Sequence, residues 1–78
     1  MIHSIRFTWI DTDKPDNWKG EGPNPVPDHM IAVLQVKAFG EWQPEARLGI
    51  PKSMHAQRGV RIEVFNLLME RVRRELGV

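Results

Sequence analysis

Residues 29–50 read H-M-I-A-V-L-Q-V-K-A-F-G-E-W-Q-P-E-A-R-L-G-I, and this stretch decides the fold. Met30, Ala32, Leu34, Val36 and Ala38 share one parity; Ile31, Val33 and Phe39 share the other with Gln35 and Lys37. Apolar residues on both parities predict a strand flanked on both sides, at the centre of a sheet. F-G-E-W then supplies a tight turn at Gly40. From Glu41 to Ile50 the alternation resumes, with Trp42, Ala46, Leu48 and Ile50 facing in and Glu41, Gln43, Glu45 and Arg47 facing out. Pro44 lacks the N–H that a central strand needs and places this segment at an edge. Residues 29–50 therefore form an antiparallel hairpin.

Upstream, residues 2–10 also alternate. Ile5, Phe7 and Trp9 fall on one side, and Ser4, Arg6 and Thr8 on the other, as in a half-covered strand. Between the two lies a proline-rich loop over residues 11–28, with prolines at 15, 23, 25 and 27 that forbid a helix. A connection this long inside a small domain is often functional. Downstream, residues 54–76 predict a helix. Glu63, Asn66, Glu70, Arg73 and Arg74 fill a polar arc opposite a seam of Ile62, Phe65, Met69, Val72 and Leu76, and Gly77 ends it. Its start is open: Ser53 is a candidate cap, and Gly59 is a candidate boundary. A rival reading takes V-R-I-E-V (60–64) as a fourth strand. The sum is β-β-β-α, an α+β domain in two layers, with a three-stranded antiparallel sheet and one C-terminal helix across one face.

Seventy-eight residues make one domain of marginal core size. The chain has no cysteine, which excludes disulfides and thiolate zinc and fits a reducing, cytoplasmic setting. Neither a signal peptide nor an apolar run of the ~18 residues that a membrane span needs is present. Net charge is +1, but its distribution is uneven. Residues 11–28 carry Asp11, Asp13, Asp16, Glu21 and Asp28 against Lys14 and Lys19. From residue 52 onward, Lys52, Arg58, Arg61, Arg71, Arg73 and Arg74 outnumber Glu63, Glu70 and Glu75. A dipolar chain of this kind can steer a partner.

Catalytic and metal motifs are weak. D-T-D-K-P-D-N-W-K-G-E-G (11–22) starts like a calcium loop, but Pro15 takes a ligand position and Gly22 stands where the bidentate glutamate belongs. The local chemistry of Asp11 and Asp13 suits turns that cap their own backbone. His3, His29 and His55 have no metal-binding spacing, Ser4 and Ser53 no nucleophile elbow, and G-E-G (20–22) opens no helix. No cofactor, no metal and no enzyme is expected.

Two binding functions are left. The first is a non-catalytic protein-interaction module, a small regulator or inhibitor of the kind phages and mobile elements carry, that blocks a partner's surface. Its residues are Trp18, a candidate hot-spot anchor, with the acids Asp11, Asp13, Asp16, Glu21 and Asp28. The apolar side of the helix is also too wide for one sheet face, so Val64 and Leu67 make a candidate homodimer face. The alternative is a nucleic-acid-binding domain using Arg6, Lys37 and Arg47 on the open sheet face and Arg71, Arg73 and Arg74 on the helix. Against it stands the expectation that Trp9 and Trp42 both point inward, which leaves no aromatic on the open face to stack bases.

Overall fold

A computed structural model describes residues 1–14 and 26–78. The chain runs β1 (Ile2–Asp11), β2 (His29–Ala38), β3 (Glu41–Trp42), β4 (Ala46–Pro51), α1 (Lys52–His55) and α2 (Arg58–Leu76). It is an α+β arrangement: an antiparallel sheet with a C-terminal helix on one face. β2 is central, with β1 along one side and β3 and β4 in succession along the other.

Two apolar parities put β2 in the middle, and its inner row follows the alternation. Ala32, Leu34, Val36 and Ala38 are fully buried. Opposite residues of an antiparallel pair share a face. Phe7 faces Leu34, Trp9 faces Ala32, Ala46 faces Leu34 and Ile50 faces Met30, so these side chains join the same inner layer. Over this layer α2 lays Val64, Leu68, Met69 and Val72, with Val60, Phe65 and Leu76 at its margins. Phe7 meets Phe65 edge-to-face at 4.9 Å between ring centroids, and Trp9 meets His55 at 4.6 Å. Such contacts add about 0.5–1.5 kcal/mol each beyond area burial.

Two irregularities reset the alternation. Ile2 faces Ala38 while Ser4 faces Lys37, so β1 carries one extra residue around His3. This bulge brings Ile2 onto the same inner face as Ile5, Phe7 and Trp9, despite opposite parity. The second lies in the expected third strand. Trp42 faces Lys37, and Ala46 faces Leu34. Four steps on one side match three on the other, so the edge gains a residue at Gln43–Pro44–Glu45. Trp42 consequently lies on the outer face, not inward with Ala46 and Ile50. Phe39 likewise leaves the strand. It and Gly40 form the two-residue turn between Ala38 and Glu41, with φ of 55° and 78°. Both positive values match the hairpin turn whose twist suits its flanking strands.

The helical end differs from the sequence expectation at its start, in a break at Gln57 and in its rotation. α1 starts at Lys52 behind Pro51, and Ser53 lies inside it. Gln57 breaks the helix in an extended conformation, and Gly59 sits in the first turn of α2. Residues 60–64 are helical, as the helix expectation has them, and the rival fourth strand does not form there. At the other end Gly77 closes α2 in the left-handed conformation (φ 73°), donating its N–H to Arg73 O at 2.9 Å. The buried stripe is also rotated from the expected seam. Val64 and Leu68 take its centre, whereas Ile62 is 51% exposed. No helix among the described residues is long and apolar enough to cross a membrane.

Candidate functional site

Among the described residues no helix covers the outer face of the sheet, because α2 packs on the inner layer. Its residues follow from the register. Arg6 faces Gln35, Thr8 faces Val33 and Ile10 faces Ile31 across β1 and β2. Lys37 faces Trp42, and Val33 faces Arg47 on the other side. Ile10, Ile31 and Val33 gather at one end, and Arg6, Gln35, Lys37 and Trp42 at the other.

Arg6 reaches across the central strand and lays its guanidinium over the Trp42 ring, 3.7 Å from the centroid. An exposed cation–π contact of this kind contributes about 0.5–1 kcal/mol. The Trp42 segment is fixed from behind. Gln43 N–H donates to Val36 O at 2.8 Å, and its side-chain amide donates to Ala38 O at 2.8 Å. The Gln35 amide donates to Gln43 O at 3.1 Å. These bonds satisfy the backbone where the extra residue interrupts the ladder, and they hold the indole on the outer side. Arg47 pairs with exposed Glu45 at 2.9 Å, a surface contact of little strength. Lys37 has no ion pair among the described residues.

The acids proposed for partner capture are differently placed. Lys52 Nζ sits 2.9 Å from Asp11 and 2.6 Å from Asp13. Asp11 also accepts from the Asp13 N–H at 2.9 Å, and Asp13 from the Asp28 N–H at 3.0 Å. Thr12 and His29 exchange further bonds: the Thr12 N–H and hydroxyl both donate to His29 O, and the His29 N–H donates to the Thr12 hydroxyl. The result is a clasp that closes the two described ends of the β1–β2 connection onto the start of α1. Hydrogen bonds from Lys52 chiefly, then from backbone N–H groups, hold both carboxyls below the usual aspartate range. The two carboxylates in turn raise the Lys52 ammonium above its ordinary value. Asp11 belongs to β1 rather than to the loop.

Trp18, Asp16 and Glu21 lie outside the described residues, as do Pro15, Pro23 and Pro25. Val64 is 4% exposed and belongs to the core, so it is not available as a dimer face; Leu67 is 51% exposed. On α2, Arg71 pairs with Glu75 and Arg74 with Glu70, both at 3.1 Å, while Arg73 lines a groove beside Ile5. The helix arginines thus lie apart from Arg6, Lys37 and Arg47, on the other layer. His29 and His55 are tied to local partners, Pro27 O and the Trp9 ring. Among the described residues no three His, Asp or Glu side chains gather as metal ligands.

The residue that strict alternation assigned to the wrong side is Trp42. Q-P-E (43–45) held the available signal: a proline in an edge strand marks a place where the ladder is interrupted. Comparison with protein-family models, with curated proteins and with solved structures finds no match to this chain.

Proposed function

We propose that this chain is a non-catalytic binding domain of the cytoplasm that holds single-stranded nucleic acid on the outer face of its sheet. One observation carries the reading: Arg6 is stacked on Trp42 on a face that no described helix covers, with Lys37 opposite Trp42 and Arg47 four residues further along the sheet, level with Val33. Single strands are bound by a basic track plus planar groups on which bases stack. The guanidinium of Arg6 offers its outer plane to a base and extends the Trp42–Arg6 stack by one layer. Lys37, Arg47 and the edge N–H groups of Arg6 supply phosphate contacts, and Gln35 and Thr8 add neutral hydrogen-bonding groups. Arg71 and Arg74 play no part in this reading, since they face away and are paired with glutamates.

The test is anisotropy of a labelled oligothymidylate and of an oligouridylate at low salt. Binding is expected for the native chain and for Arg74→Gln, and at least tenfold weaker binding for Trp42→Ala. Absence of binding at low salt, or equal affinity in the Trp42 variant, overturns the proposal.

A second reading keeps protein capture. Its support is that α2 leaves Ile62 and Leu67 each 51% exposed on opposite flanks of the buried stripe. A protein partner whose affinity falls in Leu67→Lys while oligonucleotide binding is absent would favour it.

A further inference from the structure

β1 is an edge strand of ten residues, without proline, and its outer backbone edge has no partner among the described residues. Natural sheets usually blunt such an edge. Here the only irregularity is the bulge at its start. The apolar layer also runs out at this side. Ile5 faces the fully buried Val36, yet it is 46% exposed. Between Ile5 and α2 lies an open groove of about 410 Å³, with Phe65 and Met69 in its wall and Glu70 and Arg73 at its rim. Ile62, one helical turn before Asn66 of that groove, lies on the same flank and is half exposed.

We propose that β1 pairs with β1 of a second copy, antiparallel about a two-fold axis normal to the sheet. The strand's own chemistry selects that occupant and its register. Such an axis keeps both helices on one face, and directly opposite residues must share a face. Only pairings that set odd residues against odd ones satisfy both conditions. Centring the axis on Arg6 would oppose two guanidinium groups. Centring it on Thr8 would set apolar Ile5 against Asp11, a carboxylate already held by Lys52. Centring it on Phe7 avoids both. Phe7 then faces its own copy, Ile5 faces Trp9, Arg6 faces Thr8, and Ser4 faces Ile10. Aromatic and aliphatic pairs meet on the inner side, and no like charges oppose. The pairing extends each undersized inner layer with apolar residues of the other copy. It also sets two Arg6–Trp42 stacks on one continuous outer face, although it does not rest on the nucleic-acid reading.

Sedimentation equilibrium over a dilution series tests the association, with far-UV circular dichroism to verify folding. The native chain is expected to dimerise, and Ile5→Lys to raise the dimer Kd at least tenfold with an unchanged spectrum. Register is tested by disulfide trapping, since the chain has no native cysteine. Mixing the single variants Arg6→Cys and Thr8→Cys should trap a mixed dimer in excess of either variant alone. This readout stands even if Ile5→Lys fails to fold. A native chain that stays monomeric at about 100 µM, a dimer indifferent to Ile5→Lys, or trapping dominated by Thr8→Cys alone overturns the proposal.

Discussion

Salt dependence gives the sharpest test of the open sheet face, because three cations lie on it among the described residues. Arg6, Lys37 and Arg47 share that face, and the remaining arginines of α2 lie on the opposite layer. Each phosphate neutralised on a single strand contributes about −0.7 to the slope of log K against log salt. Three contacts therefore give a slope near −2, and a rise from about 50 to about 200 mM salt weakens binding roughly 20-fold. Arg6→Gln removes one contact; its slope should fall to about −1.4, and its loss over the same range to roughly 7-fold. Lys37→Gln should do the same, and Arg74→Gln should leave the slope unchanged. Glu45→Gln frees Arg47 from its 2.9 Å partner, and should tighten binding modestly at low salt. The assay is anisotropy of one labelled oligothymidylate across four salt concentrations. A slope shallower than about −0.5, or one that responds to Arg74 and not to Arg6, would refute the assignment of phosphate contacts to this face.

Val64 and Leu67 separate core from surface on α2. Val64→Ala removes buried methyl groups and leaves a cavity, at about 2–3 kcal/mol, whereas half-exposed Leu67→Ala should cost under about 1 kcal/mol. Urea unfolding that ranks them the other way would mean that α2 is rotated from the orientation described. Gly40→Ala should cost about 1–2 kcal/mol, all of it backbone strain, because φ is 78° and an added methyl group meets nothing within 4 Å. A neutral Gly40→Ala would show that the turn is not of the positive-φ type. The clasp should respond to acid. Asp11 and Asp13 have lowered folded pKa values, so their contribution is present above the ordinary aspartate pKa of about 4. It is lost as pH falls through their folded values. Amide exchange at Thr12 and Asp28 should accelerate in that acid window, and Lys52→Met should flatten the response. Equal acid sensitivity in the two proteins would place the effect elsewhere.

Much of the fold is written in short-range pattern. β2 declares its central place through apolar residues on both parities, and burial of Ala32, Leu34, Val36 and Ala38 matches that pattern residue by residue. F-G marks the hairpin, because glycine accepts the positive φ that the turn requires. Gly77 marks the helix end for the same reason. Alternation and helical periodicity are properties of neighbours along the chain, and the sequence by itself determines them.

The tertiary structure decided what depends on phase. One extra residue near His3 and another within Gln43–Glu45 shift the pairing by one position, and each shift moves every later side chain to the opposite face. Counting parity across Pro44 thus sent Trp42 inward, and only the ladder against Lys37 and Leu34 places it beside Arg6. The same holds for α2. Its apolar arc is wider than one sheet face can cover, so periodicity alone could not choose between Ile62 and Val64; contact with β2 and β4 put Val64 in the core and left Ile62 out. Charge followed the same logic. The acids of residues 11–28 read as one surface in sequence, yet Lys52, distant along the chain, draws Asp11 and Asp13 into a clasp. Local pattern fixes which elements form. Pairing register and helix rotation depend on partners far along the chain, and these set which side chains face the solvent.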